Sequence, residues 1–196
     1  MGGAEQSLIR LYHYGKKDEF ELGSLSGDGK ILNNIAKTNV HKFGFNRRSF
    51  LNLIVSCYKA IKYSKKNKIN ILYICGFKAC SIIRIYSLFF KTPKIIHAIR
   101  WNPVSNNTDD TIFRFFEKLF SFKTHAWICN SFSAKQTLTK YCGIPKDRIF
   151  PIHNGIGINN HTNIKKRKNI ILTLSNFSPR KGIIEYLNVI EMVLNL

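Results

Sequence analysis

The sequence predicts an α/β fold: a doubly wound parallel sheet with a helix between each pair of strands. Three observations predict it. Short apolar runs, NILYIC (70–75), KIIHAI (94–99) and HAWICN (125–130), alternate with longer segments whose apolar residues recur at helical spacing. The strand runs are near-continuously apolar, as in strands covered on both faces of a parallel sheet. Turn residues, such as Gly27–Gly29 and Gly143 with Pro145, fall between the runs.

The elements follow in order. Residues 4–14 read as a helix opening directly after Gly2-Gly3. Residues 20–25 and 39–45 read as strands, the second weaker. A long helix over 48–66 places Leu51, Ile54, Val55, Tyr58 and Ile61 on one face, with basic residues at its end, where they complement the helix dipole. The strand at 70–75 leads to a helix over 78–90, then to the strand at 94–99. Asp109 and Asp110 suit a helix N-terminus, followed by a stripe of Ile112, Phe113, Phe116, Leu119 and Phe120. After the strand at 125–130 comes a helix over 131–141, ended by Gly143 and Pro145. RIFPIHNGI is a last strand and turn. The charged segment 158–168 reads as a linker, and a further strand and helix begin beyond it. The pattern is Rossmann-like. Such a domain ordinarily opens with a strand, whereas this chain opens with the glycine loop expected after one. The reading is therefore of a chain truncated at both ends: residues 1–157 a domain lacking its first strand, 158–168 a linker, and 169–196 the start of an incomplete second Rossmann-like domain.

Composition bounds the function. The chain has 196 residues, 44% of them hydrophobic, enough for a core. Thirty-one Lys and Arg against eleven Asp and Glu give a formal charge of +20. Such a charge favours anionic partners. Joint inflation of Lys, Asn and Ile reads equally as the product of an AT-rich coding sequence. Five cysteines show no metal-ligand spacing and read as buried apolar residues of a reducing compartment. The start MGGAEQ is not a signal peptide, and the apolar run 71–90 is interrupted by Gly76, Lys78 and Arg84.

Chemistry-bearing motifs lie in WICNSFSAKQTLTKYCGIPKDRIFPIHNGIGIN and ILTLSNFSPRKGIIEYL. In order and spacing they resemble the middle of a glycosyltransferase of family 4, of the GT-B type. They comprise a strand ending in a Ser-containing motif, a Tyr-x-Gly-hydrophobic-Pro turn, an Asn-Gly-Ile closure of the first domain, and a Pro-x-Lys-Gly loop opening the second. GGAE at the start resembles the first glycine loop of that family.

The resemblance implies transfer of a sugar from a nucleotide-sugar donor to a glycan or lipid-linked acceptor, with retention of configuration, in polysaccharide biosynthesis. It implies no metal and no cofactor. Lys181 corresponds to the lysine that meets the donor's phosphates, with Arg180 and Asn176 beside it. Asn176 stands where the family often has an arginine, which removes one half of the expected phosphate clamp. Gly2 and Gly3 let backbone N–H groups approach a ligand at a helix N-terminus. Arg100 is the candidate catalytic residue, in an Arg-x-x-Pro form of the strand end. Asn154 and Gly155 shape the hinge, and His97 reads as a core histidine. The family's pair of glutamates separated by seven residues is not matched by Glu185 and Glu191. The expected location is cytoplasmic, peripheral on the inner face of the membrane. There the Phe-rich helix near 111–123, with Lys62, Lys65, Lys66 and Lys68, meets anionic lipid, unless those aromatics are core. The competing readings are a basic nucleic-acid-binding α/β protein, which the scattered cations argue against, and a fragment without activity of its own.

Overall fold

The computed structural model describes residues 3–15, 19–26, 40–44, 49–104, 108–155, 171–175 and 181–194. The chain divides into two compact units, Met1–Ile156 and Gly157–Leu196.

The first unit alternates helices and strands: α1 (Gly3–Tyr14), β1 (Leu22–Ser24), β2 (Val40–Lys42), α2 (Phe50–Lys66), β3 (Ile71–Cys75), α3 (Phe77–Phe89), β4 (Lys94–Ile99), α4 (Thr108–Leu119), β5 (Ala126–Cys129), α5 (Phe132–Cys142) and β6 (Ile149–Pro151). All strand pairings are parallel. The strands form two sheets, a pair β1–β2 and a four-stranded sheet in the order β3-β4-β5-β6. One open sheet was expected. Instead, among the described residues no strand joins β1 to β3, so the two sheets are hydrogen-bonded separately.

Register explains where the core sits. Ile74, His97, Trp127 and Ile149 lie opposite one another across the four strands, hence on one face. All four are buried. The neighbouring row, Cys75, Ala98, Ile128 and Phe150, faces the other way, and Phe150 is 49% exposed. The sheet is therefore well covered on one face and partly covered on the other. Full cover on both faces, read from apolar composition, does not hold at β6.

Helix orientation departs from the expected stripe in α2. Leu51 (73%), Val55 and Tyr58 are exposed, while Ser56, Cys57, Ala60, Ile61 and Ser64 form the inner face. Small side chains there let α2 lie close to α3. Their hydroxyls cost little, because Ser56 donates to the Asn52 carbonyl (2.6 Å) and Ser64 to the Ala60 carbonyl (2.7 Å). In α4 the inner face is Asp110, Phe113 and Glu117, leading to Phe120. Ile112 and Leu119 point outward. Both helix starts with a serine cap behave as sequence chemistry requires: Ser49 accepts from the Asn52 N–H and Ser131 from the Ala134 N–H, each at 3.1 Å. Gly143, at φ +67°, ends α5 in the left-handed conformation that favours glycine.

A buried polar cluster ties α3 and α4 to the sheet. Arg84 of α3 donates to both oxygens of Glu117 of α4, at 2.7 and 2.8 Å, and neither side chain is exposed. Trp127 Nε1 donates to Glu117 Oε2 at 2.5 Å, and His97 Nδ1 lies 3.0 Å from Oε1. The Glu117 carboxylate thus takes four donors. At the other end of the sheet Arg148 stacks over Trp127 and donates to the Ser121 and Thr124 carbonyls.

In the second unit, residues 171–175 are exposed and carry no regular secondary structure. The strand expected there does not form, since no partner strand is present among the described residues. Helix α6 (Ile183–Leu194) follows. The linker 158–168 lies outside the described residues.

Candidate functional site

In a parallel α/β sheet the loops that follow the strands gather at one rim, where ligands of such folds bind. Here that rim carries Gly76 after β3, Arg100 after β4, Asn130 and Ser131 after β5, and Asn154 and Gly155 after β6. Arg100 is the centre. Its Nη1 donates to Asn154 Oδ1 (3.1 Å) and its Nη2 to the Tyr73 hydroxyl (2.7 Å). Its backbone carbonyl accepts from Asn130 Nδ2 (3.2 Å), which holds the β4 and β5 loops together. Its Nε is buried without a hydrogen-bond partner. Burial holds the Tyr73 phenol above its ordinary value despite the adjacent guanidinium, so it remains an O–H.

A second guanidinium joins from α1. Arg10 Nη1 donates to the Gly155 carbonyl (2.7 Å) and Nη2 to Gln6 Oε1 (3.4 Å). Arg10 and Arg100 thus flank the Asn154–Gly155 segment. Their hydrogen-bond partners among the described residues are all neutral, and none of the ion pairs among those residues involves either guanidinium. Such a pair is poised for an anionic group, for which a guanidinium offers bidentate donors. Nearby, Asn102 Nδ2 donates to Ser133 Oγ (2.6 Å), fixing the loop after β4 against α5.

The structure brings together Arg100, Asn154 and Gly155. Gly3 begins α1, the helix that carries Arg10, and Gly2 lies outside the described residues. Lys181 is exposed in the second unit, followed by Gly182 at φ +60°. Asn176 and Arg180 lie outside the described residues. His97 is wholly buried within the Arg84–Glu117 cluster, away from the rim. Burial alone would depress it, but Cys80 and Glu117 outweigh that and push it up to about 9. Arg10, Tyr73 and Asn130 were not legible as site residues. Tyr73 is an ordinary strand aromatic by spacing, and Arg10, seven residues after Gly3 on α1, carries no motif of its own. Among the described residues no cluster of three or more His, Cys, Asp or Glu is arranged to hold a metal. Burial pushes the Cys57 and Cys142 thiols up to about 12, so they are apolar filling.

Comparison with known proteins places this rim in context. Comparison with curated sequences gave no match. Among solved structures, the chain is similar to Anabaena Alr3699/HepE in complex with UDP (TM-score 0.61, 19% identity, 79% of this chain and 41% of that one). It is similar to a glycosyltransferase from Rickettsia africae ESF-5 (TM-score 0.58, 17% identity, 79% and 40%). It is also similar to UDP-N-acetylglucosamine 2-epimerase from Rickettsia bellii (TM-score 0.53, 14% identity, 77% and 41%). At these identities the likeness is one of fold, Rossmann-like and shared with GT-B enzymes, and the chain spans about two-fifths of each of those proteins. The profile of Glycosyltransferase Family 4 matches residues 1–160, most of the length, and the chain belongs to that family.

Proposed function

We propose that the chain forms the acceptor-side part of a retaining glycosyltransferase. It moves a hexose from a nucleotide-sugar to a hydroxyl of a glycan or lipid-linked acceptor, in polysaccharide biosynthesis at the cytoplasmic side of a membrane. The observation that carries this reading is the pair Arg10 and Arg100, whose partners at the C-terminal rim are neutral among the described residues. The UDP bound to the Anabaena relative supports a nucleotide-sugar donor.

In the reaction the bond from the sugar's anomeric carbon to the diphosphate breaks, and a bond from that carbon to the acceptor oxygen forms. The acceptor hydroxyl gives up its proton, and negative charge grows on the departing phosphate. Lys181, with Arg180 and Asn176, is assigned to that charge. Arg100 is assigned to an anionic group of the acceptor or donor at the reacting centre, and Arg10 to its outer side. Gly2 and Gly3 supply backbone N–H groups, and Asn154 and Gly155 form the hinge.

The test is calorimetric titration of the full chain with inorganic pyrophosphate, paired with nucleotide-sugar consumption in the presence of a membrane glycan extract. A charge-assisted hydrogen bond contributes about 1.5–3 kcal/mol, so Arg100→Ala is expected to weaken pyrophosphate binding about 10–100-fold. Arg100→Lys restores only part of it, having lost the planar fork. Equal binding by wild type and Arg100→Ala overturns the assignment.

A further inference from the structure

The molecule has a second charged surface, at the end of the sheet opposite the rim. Helices α2, α3 and α4 run back against the strands, so their C-termini meet where the strands begin. Lys123, just after α4, donates from Nζ to the Ser87 carbonyl of α3 (3.0 Å). Lys65 of α2 lies over the Phe90 ring at the end of α3, 5.5 Å from its centroid. These two contacts join the three helix ends into one surface.

Its composition is unusual for a solvated face. Phe89 is 76% and Phe122 65% exposed, with Leu88, Phe90 and Leu119 exposed beside them. Around them stand exposed lysines, of which Lys62, Lys65, Lys66, Lys91 and Lys118 belong to the three helix ends or follow them directly. From residue 29 to residue 108 the sequence contains fifteen Lys and Arg and no Asp or Glu. Glu117 of α4 is spent inside the fold on Arg84. Two acids stand at the margins of this surface: Glu21 accepts from the Tyr63 hydroxyl of α2 (2.8 Å) and lies 3.3 Å from His41 Nε2, and the exposed Asp147, in the turn before β6, adjoins Arg148, which donates to the Ser121 and Thr124 carbonyls.

The aromatics of the α4 region therefore divide. Phe113 and Phe120 are core, while Phe115 and Phe122 are not. Exposed phenylalanine and leucine ringed by lysine is the pattern of a surface that enters the headgroup region of an anionic bilayer: the rings partition and the ammonium groups neutralise lipid charge. Nucleic acid fits less well, because leucines do not stack on bases and the cations here are point-charge lysines rather than arginine forks.

We infer that this basal end, centred on Phe89 and Phe122, docks on an anionic lipid surface. β4 spans six residues, so docking holds the rim cluster about 20 Å from the lipid. The inference does not depend on the chemistry proposed for the rim.

The test is co-sedimentation of the full chain with vesicles of phosphatidylcholine containing about one-third phosphatidylglycerol, against pure phosphatidylcholine vesicles and single-stranded polyuridylate. Wild type pellets with the anionic vesicles and not with the neutral ones. Phe89→Ser with Phe122→Ser lowers vesicle affinity about tenfold or more, through lost insertion. Lys65→Glu with Lys66→Glu lowers it at least about 25-fold, at roughly fivefold per lysine. Phe50→Ser, an equally exposed phenylalanine at the opposite end of the 17-residue α2, leaves it unchanged. Equal pelleting with neutral vesicles, indifference to the basal phenylalanines, or binding of polyuridylate without vesicle binding would each overturn the inference.

Discussion

Replacing Glu117 by Gln is the sharpest perturbation this fold offers. The carboxylate is fully buried and takes donors from Arg84, His97 and Trp127 at 2.5–3.0 Å. Glutamine keeps the shape but removes the charge, and it turns one acceptor oxygen into an NH2 aimed at donors. Arg84 then stands as a buried cation without a counter-charge. Breaking a buried ion pair on one side costs about 3–5 kcal/mol. Against a total of about 5–15 kcal/mol for a domain, that is a large fraction. For a unit of this size each kcal/mol moves Tm by about 2–4 °C, so the expected drop is about 6–20 °C. The readout is urea and thermal unfolding followed by tryptophan fluorescence, in which Trp127 reports from inside the cluster and Trp101 from the loop after β4. Arg84→Met with Glu117→Gln is the decisive companion. Because neither charge is then left alone, the double variant should be less destabilised than the two single losses added together. A loss below about 1 kcal/mol for Glu117→Gln, or simple additivity in the double variant, would refute the claim that this bridge fastens α3 and α4 to the sheet.

The same cluster sets a pH window. Burial opposes ionisation of Glu117, but His97 and Arg84 hold its carboxyl well below the ordinary 4.5. Its share of stability is therefore full above that value and lost as the pH falls. His97 is pushed up to about 9, so its share is full below its ordinary 6.5 and lost as the pH rises to about 9. The urea midpoint is thus expected to be highest between about pH 5 and 6.5 and to fall on both sides, whereas a midpoint still rising from pH 7 to 9 would contradict the His97 contact. Among the described residues β3 is an edge of its sheet, with Ile71 51% exposed, and unpaired edges recruit other strands. Ile71→Lys should reduce concentration-dependent light scattering, and unchanged scattering would remove the edge as its cause.

Much of this was written in the sequence. Periodicity located β3, β4, β5 and the helices around them, because strand and helix repeats survive any packing. Serine caps and Gly143 marked helix ends through local hydrogen bonding and backbone freedom. The ordered motifs named the family and pointed to Arg100, Asn154 and Gly155. Tertiary structure alone decided the rest. It turned α2 so that its small residues, and not Leu51, Val55 and Tyr58, face the core, since close helix approach outweighs side-chain hydrophobicity. It set Tyr73 against Arg100 and Arg10 against Gly155, contacts between residues 27 and 145 positions apart that only the packing of β3, β4 and α1 around the loop after β6 brings about. It also separated the two faces of α4, burying Glu117 against Arg84 and turning Phe115 outward. A one-dimensional pattern shows which residues share a stripe; only the neighbours on each side determine which stripe is inside.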